Sequence, residues 1–256
     1  MPGVSPNQEA ERARVAVMLD CRPEVISFDA AGTLIDVNWN PAQIAVESAL
    51  ATGVPLGDPL VAGEAYGRLL RSRWGHFQEL NLQRNEAICD AFWLEIGKDW
   101  LESLGIEPSL AQGVYDHAMD RMFSPGSDIF SLFEDSIPTL EALQAAGIRI
   151  AIISNWDVSL HRTCRMLGLT KYCSIIVASL EEGVEKPDPL LFELTFERLS
   201  VHPRNVVHVG DDPVADVQGA RNVGAKPFLI DRSIEISEAH RLADLRDLLP
   251  YLGLPR

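Results

Sequence analysis

Short apolar runs alternate with helical patterns through most of this chain, and few architectures accept that order. The runs fall at residues 25–28, 149–153, 174–178, 206–209 and 227–230. Helical periodicity occupies 136–146, 158–167, 190–199, 213–222 and 239–248, and Gly147, Gly168 and Gly224 stand where helices should stop. Strands alternating with helices predict an α/β fold, a Rossmann-like parallel sheet covered on both faces. Ligands of such sheets sit at the carboxyl ends of the strands, so those ends are where chemistry is to be sought.

One stretch breaks the alternation. Between the first run and the second lie 120 residues, and 40–130 holds no convincing strand. Its patterns are helical, at 41–52, 58–77, 85–104 and 108–122, and it carries Trp74, Trp93 and Trp100 as an apolar stripe. The chain therefore divides into an N-terminal arm at 1–22, a core made of 23–39 and 131–256, and an inserted all-helical cap at 40–130. Because the insertion follows the first strand, it is expected to stand over the strand ends.

Charge narrows the function. The formal net charge is −15, which repels nucleic-acid backbones and anionic lipid. No nucleic-acid or membrane partner is expected. A small phosphorylated or otherwise anionic metabolite remains open, since a metal ion can reverse the local field. Cys21, Cys89, Cys164 and Cys173 form no CxxC pair, so neither a zinc site nor a disulfide framework is indicated, and a reducing compartment is the simple reading. No apolar run approaches the ~18 residues of a membrane span. A cytoplasmic location is expected, and the oligomeric state is not encoded in any pattern.

The strand ends carry the informative residues. The first run delivers Asp29 into the turn Ala30-Ala31-Gly32-Thr33; the second ends in Ser154-Asn155; the fourth runs into Gly210-Asp211-Asp212, with Asp216 five residues after Asp211. Lys186 precedes Pro187-Asp188-Pro189 at a helix start and is one of four lysines. Together these residues make a set suited to phosphoryl transfer. Asp29 is the candidate nucleophile and a Mg²⁺ ligand. Asp211 and Asp216, with Asp212 as a further candidate, complete an oxygen-rich site suited to Mg²⁺. Ser154 and Lys186 are placed to bind phosphoryl oxygens, where charge must be neutralised. Gly32, Thr33 and Asn155 join them as candidate substrate-binding residues.

In order and spacing these four motifs resemble the haloacid dehalogenase superfamily, subfamily I, whose members carry a helical C1 cap. The resemblance covers about residues 24–235. It implies a fifth-fourth-first-second-third strand order, a squiggle and flap after Asp29, a mobile cap, an aspartyl-enzyme intermediate on Asp29, and the backbone carbonyl of Ala31 as a metal ligand.

One position departs from that pattern. Phosphatases of the family carry a second aspartate two residues after the nucleophile, which protonates the leaving group and then activates water. This chain has Ala31 there. General acid–base catalysis is worth about 10²–10⁴-fold, and a methyl group moves no proton. Three readings follow. One is a Mg²⁺-dependent phosphotransfer enzyme whose leaving group needs little proton help, as with acyl or aryl phosphates, or whose proton comes from elsewhere, with Glu64, His76 and Glu79 as cap donors. Another is carbon–phosphorus or carbon–halogen cleavage; the former requires a cap lysine for a Schiff base, and Lys98 is the one available. The third is binding of a phosphorylated ligand or protein without turnover. Of the remaining residues, Asp157 is expected to cap a helix and His208 to be a satisfied core residue. Trp39 and Trp156 are candidates to line the entrance.

Overall fold

The computed structural model describes residues 22–256. The expected arm at 1–22 lies, save for Arg22, outside the described residues. Six strands form the main sheet: β1 Val25–Phe28, β4 Arg149–Ser154, β5 Ile175–Ala178, β6 Val206–Gly210, β7 Lys226–Ile230 and β8 Arg241–Leu242. Two more, β2 Ile35–Val37 and β3 Phe130–Leu132, pair separately. The main sheet runs β5-β4-β1-β6-β7-β8 and every pairing in it is parallel. Numbering its first five strands in chain order gives 5-4-1-2-3 when read from β7, as expected.

The strands are mostly apolar because both faces are buried, with Ser27 of β1 and His208 of β6 among the buried polar exceptions. Successive residues point to opposite faces. Ile26, Phe28, Ile150, Ile152, Val207 and Val209 accordingly join one core, against Leu140, Leu143 and Leu160. Val25, Ala151, Ile153 and Val206 join the other, against Leu191 and Phe192. None of these positions tolerates a polar side chain without a partner.

The C-terminal region departs from the expected helix at 239–248. His240 adopts φ +61°, which no helix accepts. Arg241–Leu242 pairs with β7, at Leu229 and Ile230. This covers a sheet edge that would otherwise leave backbone groups unpaired. A 3-10 helix, Leu245–Leu252, follows, capped by Asp244, whose Oδ1 accepts from Arg246 N at 2.8 Å. The apolar spacing of Leu245, Leu248 and Leu249 suits either helix type, so periodicity alone did not separate them. The expected helix at 213–222 is likewise mixed: a π-type stretch, Pro213–Gln218, then a short α-helix, Gly219–Asn222.

The insertion holds four α-helices: α1 Pro41–Ala51, α2 Pro59–Asn81, α3 Glu86–Ser103 and α4 Ala111–Phe123. Three begin at side-chain caps. Asn40, Asp58 and Asn85 accept from the amides of Gln43, Leu60 and Ala87 at 3.1, 2.9 and 3.0 Å. The helices share a core containing Phe77, Ile96 and Trp100, and that core extends onto Val158 and Leu180 of the sheet region. The Trp100 indole N–H is satisfied by Ala62 O at 2.8 Å. The chain enters and leaves the insertion through the antiparallel ribbon of β2 and β3, with Ile35 opposite Leu132 and Val37 opposite Phe130. No membrane-spanning helix occurs among the described residues.

One ion pair, with its carboxylate buried and its guanidinium half-buried, ties the far edge of the sheet to the turn after β1. Asp135 accepts from Arg232 Nη1 at 2.9 Å and Nη2 at 3.1 Å, and from Leu245 N at 2.8 Å. The same guanidinium donates to Thr33 O at 2.5 Å and Gly32 O at 3.3 Å, and lies 3.6 Å from the Phe133 ring centroid. Removing one partner leaves the other charge uncompensated. Asp135→Ala is expected to lower the unfolding free energy by roughly 3 kcal/mol, measured by urea denaturation. A change within error would show that the pair carries no stability.

Candidate active site

The carboxyl ends of β1, β4 and β6 bring Asp29, Ser154 and Asp211 together. Asp29 continues the ladder, its N–H donating to Val209 O at 2.9 Å. Two glycines permit the crowding. Gly32 has φ +68°, and a Cβ there would lie 2.4 Å from Asp211 Oδ2. A Cβ on Gly210 would lie 2.1 Å from Asp216 Cγ. Side chains at either place would push a carboxylate out of position.

Lys186 joins the cluster from its loop. Its Nζ donates to Asp29 Oδ1 and to Asp216 Oδ1, each at 2.6 Å. All three residues are buried. Asn155 fixes the lysine backbone: its Oδ1 accepts from Lys186 N at 2.8 Å, and its Nδ2 donates to Lys186 O at 2.9 Å. Asn155, expected to bind substrate, thus has its amide engaged as a tether for Lys186. Asp216 also receives His208 Nε2 at 3.1 Å and Asp212 N at 3.0 Å, and His208 Nδ1 lies 2.9 Å from Ser27 Oγ. His208 is therefore a satisfied core residue, and it also braces Asp216.

The carboxyls respond differently to this setting. Burial pushes Asp29 upward; Lys186 opposes and the Asp216 charge reinforces, with a net rise. Asp211 is pushed up to about 6 by burial and by Asp29 and Asp216. Burial alone would raise Asp216, but the His208 hydrogen bond and the Lys186 ammonium hold it well below the usual carboxylate range. Lys186 is held above its usual value, because Asp29 and Asp216 outweigh its burial. One ammonium thus faces three carboxylates, two of which are pushed upward.

Oxygen atoms of Asp29, Asp211 and Asp216 lie within 4.8 Å of one another. An all-oxygen, under-neutralised set of this kind fits a hard divalent cation such as Mg²⁺. Asp212, expected as a further ligand, is instead a helix cap. Its Oδ1 accepts from Val214 N at 2.7 Å and Ala215 N at 2.8 Å. Thr33 turns its hydroxyl toward Asp211 Oδ1 at 3.4 Å, and Gly32 N donates to Ile35 O at 2.9 Å, so both residues shape the turn. Ser154 Oγ is near enough to Asp29 to favour its carboxylate, yet it is buried outside hydrogen-bond geometry with any described residue. A buried hydroxyl with spare capacity is a fit receptor for a ligand oxygen.

Ala31 borders a cavity of about 310 Å³ between the strand ends and the insertion. Trp39, Trp93, Trp156 and Phe130 wall it. Trp39 stacks on Phe130 at 6.4 Å and 17°, and Trp93 meets Trp39 edge-on at 6.1 Å. Trp39 and Trp156 stand where the sequence suggested. Glu64, His76 and Glu79 do not: they are exposed and pair locally, as Glu64–Arg68 and His76–Glu79, away from the cavity. Lys98 is half-exposed, bound to Glu95 at 2.6 Å, and borders no part of the cavity.

Several lining residues had no sequence signal. Arg162 reaches from the helix α6 (Ser159–Met166) to the insertion, donating to both Asp90 oxygens at 3.2 and 2.7 Å and to Glu86 at 3.2 Å. An arginine on an amphipathic helix looks like any solvated residue until the insertion is folded over it. Asp157 caps that helix as expected, accepting from Ser159 N at 2.7 Å. It also borders the cavity, and burial pushes its carboxyl up.

The haloacid dehalogenase-like hydrolase profile matches residues 23–224. The chain is 27% identical to the mouse haloacid dehalogenase-like hydrolase domain-containing protein 3, over 90% of this chain and 94% of that protein. It is 28% identical to the phosphoserine phosphatase of Thermus thermophilus, over 72% and 75% of the two. Among solved structures it resembles a 2-haloacid dehalogenase from Pseudomonas syringae, with TM-score 0.64, 24% identity, and coverage of 90% of this chain and 98% of that one. With the strand order, the four motif residues and the profile in agreement, the chain belongs to the haloacid dehalogenase-like hydrolases.

Proposed function

We propose that this hydrolase is a Mg²⁺-dependent phosphatase that works through an aspartyl-phosphate on Asp29. The observation that carries this reading is the buried Lys186 bridging Asp29 and Asp216 beside Asp211. Phosphatase relatives support the same chemistry. Carbon–phosphorus cleavage through a Schiff base lacks its amine, since Lys98 is paired with Glu95 and does not line the cavity.

In this reading Lys186 and Ser154 hold the phosphoryl oxygens and orient phosphorus toward Asp29. An Asp29 oxygen forms the new bond to phosphorus as the ester P–O bond breaks, and the leaving oxygen departs with the electron pair. Water then attacks the aspartyl-phosphate, giving inorganic phosphate and restoring Asp29. Asp29, Asp211 and Asp216 would hold Mg²⁺, which supplies charge neutralisation at the phosphoryl group. Asn155 holds Lys186 in place, and His208 braces Asp216. The insertion acts as a mobile cap about the β2–β3 ribbon. Its closed position is latched by Arg162 on Asp90 and Glu86, and by Arg84 on Glu182 at 2.8 Å. Closure excludes water from the intermediate.

Three outcomes are expected. Asp29→Asn should lower turnover by more than about 10³-fold with the thermal midpoint unchanged or higher, because a neutral amide relieves carboxylate repulsion. Retained turnover would remove the nucleophile assignment. Mg²⁺ should raise the melting temperature of the wild type, and chelation should abolish turnover; full activity after exhaustive chelation would contradict metal dependence. Ala31→Asp should raise kcat for alkyl phosphates by about 10²–10⁴-fold, and an unchanged kcat would show that another group already moves the proton.

A further inference from the structure

We propose that the site is built for the phosphate monoester of an uncharged aromatic alcohol, the aromatic group lying in the cavity beside Ala31. This rests on the Asp29 phosphatase reading and names its substrate class.

Ala31 sets the first condition. Ala31 borders the cavity, and its methyl group supplies no proton. The leaving group must then depart as an oxyanion. Phenols ionise near pH ~10, whereas water, which aliphatic alcohols resemble, ionises near 15.7. A phenolic oxygen leaves unprotonated far more readily.

The walls set the second condition. Trp39, Trp93, Trp156 and Phe130 give the cavity flat apolar surfaces that suit an aromatic ring. Its volume of about 310 Å³ lies at the small end of the range for small-molecule sites.

Charge sets the third. Among the lining residues Arg162 is the sole cation, and its guanidinium is committed to Asp90 and Glu86. Glu86, Asp90, Asp157 and Glu185 border the same space. No free cation there receives a carboxylate on the leaving group, so esters such as phosphoserine and phosphoglycolate are disfavoured.

The test compares 1-naphthyl phosphate, phosphoserine, phosphoglycolate and acetyl phosphate with Mg²⁺, on wild type and Trp39→Ala. Acetyl phosphate has a leaving group that needs no proton and is too small to use the aromatic walls, so it reports Asp29 chemistry alone. Trp39 is 44% exposed, which makes its removal tolerable to the fold, and circular dichroism checks this. The expected result is a kcat/KM for 1-naphthyl phosphate at least about 100-fold above both carboxylate esters. Trp39→Ala should lower that value about tenfold, through KM, and lower kcat/KM for acetyl phosphate by a clearly smaller factor. Turnover of acetyl phosphate with no preference for the naphthyl ester, or with a Trp39→Ala loss shared equally by both, would overturn the aromatic-site inference and leave the Asp29 reading standing. Silence with every substrate, acetyl phosphate included, would overturn both.

Discussion

A single ammonium, that of Lys186, neutralises the carboxylates gathered at the centre of the sheet edge. Burying an ionised group costs several kcal/mol unless it is paired and hydrogen-bonded, and here each partner depends on the other. Without Lys186, Asp29 and Asp216 would face each other without compensation. Without them, the lysine would be a buried charge at the end of a loop. Asn155 on the backbone and His208 behind Asp216 remove the remaining freedom, so the cluster has one arrangement. Even so, Asp29 and Asp211 stay above their ordinary values. A residual excess of negative charge in an oxygen-rich pocket suits a divalent cation and, through it, a phosphoryl group.

The fold serves that arrangement from several directions. Gly32 and Gly210 let the backbone pass close to Asp211 and Asp216. Arg232 reaches from beyond β7 to hold the carbonyls of Gly32 and Thr33 while bound to Asp135. The turn that aims Asp29 is therefore anchored to the edge of the sheet. The helical insertion supplies what the sheet lacks, apolar walls over the strand ends, and ion pairs on one flank join it to the sheet region.

Much of this was legible in the sequence for physical reasons. Strands buried on both faces must be continuous apolar runs, and a carboxylate or hydroxyl directly after such a run has few places to go but the sheet end. That logic located Asp29, Ser154, Asp211 and, through the helix start at Pro187, Lys186. Asp212 misled because adjacent aspartates carry no sign of which one turns inward; the helix start at Pro213 took its side chain. His240 hid the end of the fold, since a single left-handed residue is invisible to periodicity. Trp39 and Trp156 were legible, but Arg162 and the other cavity walls escaped because they come together only when the insertion packs over α6. The absence at Ala31 and its demand on the leaving group were legible, but the aromatic-walled cavity beside it was not.

The central claim is that Asp29 takes the phosphoryl group in a site without its neighbouring acid. The most direct measurement is acid quenching of the wild-type enzyme during turnover of acetyl phosphate with Mg²⁺, followed by peptide mass spectrometry. The account predicts a phosphate adduct on the peptide containing Asp29, absent from Asp29→Asn. It should be long-lived, because Ala31 does nothing to activate the hydrolytic water. Turnover without any adduct on that peptide, or with phosphate on another residue, would contradict the account.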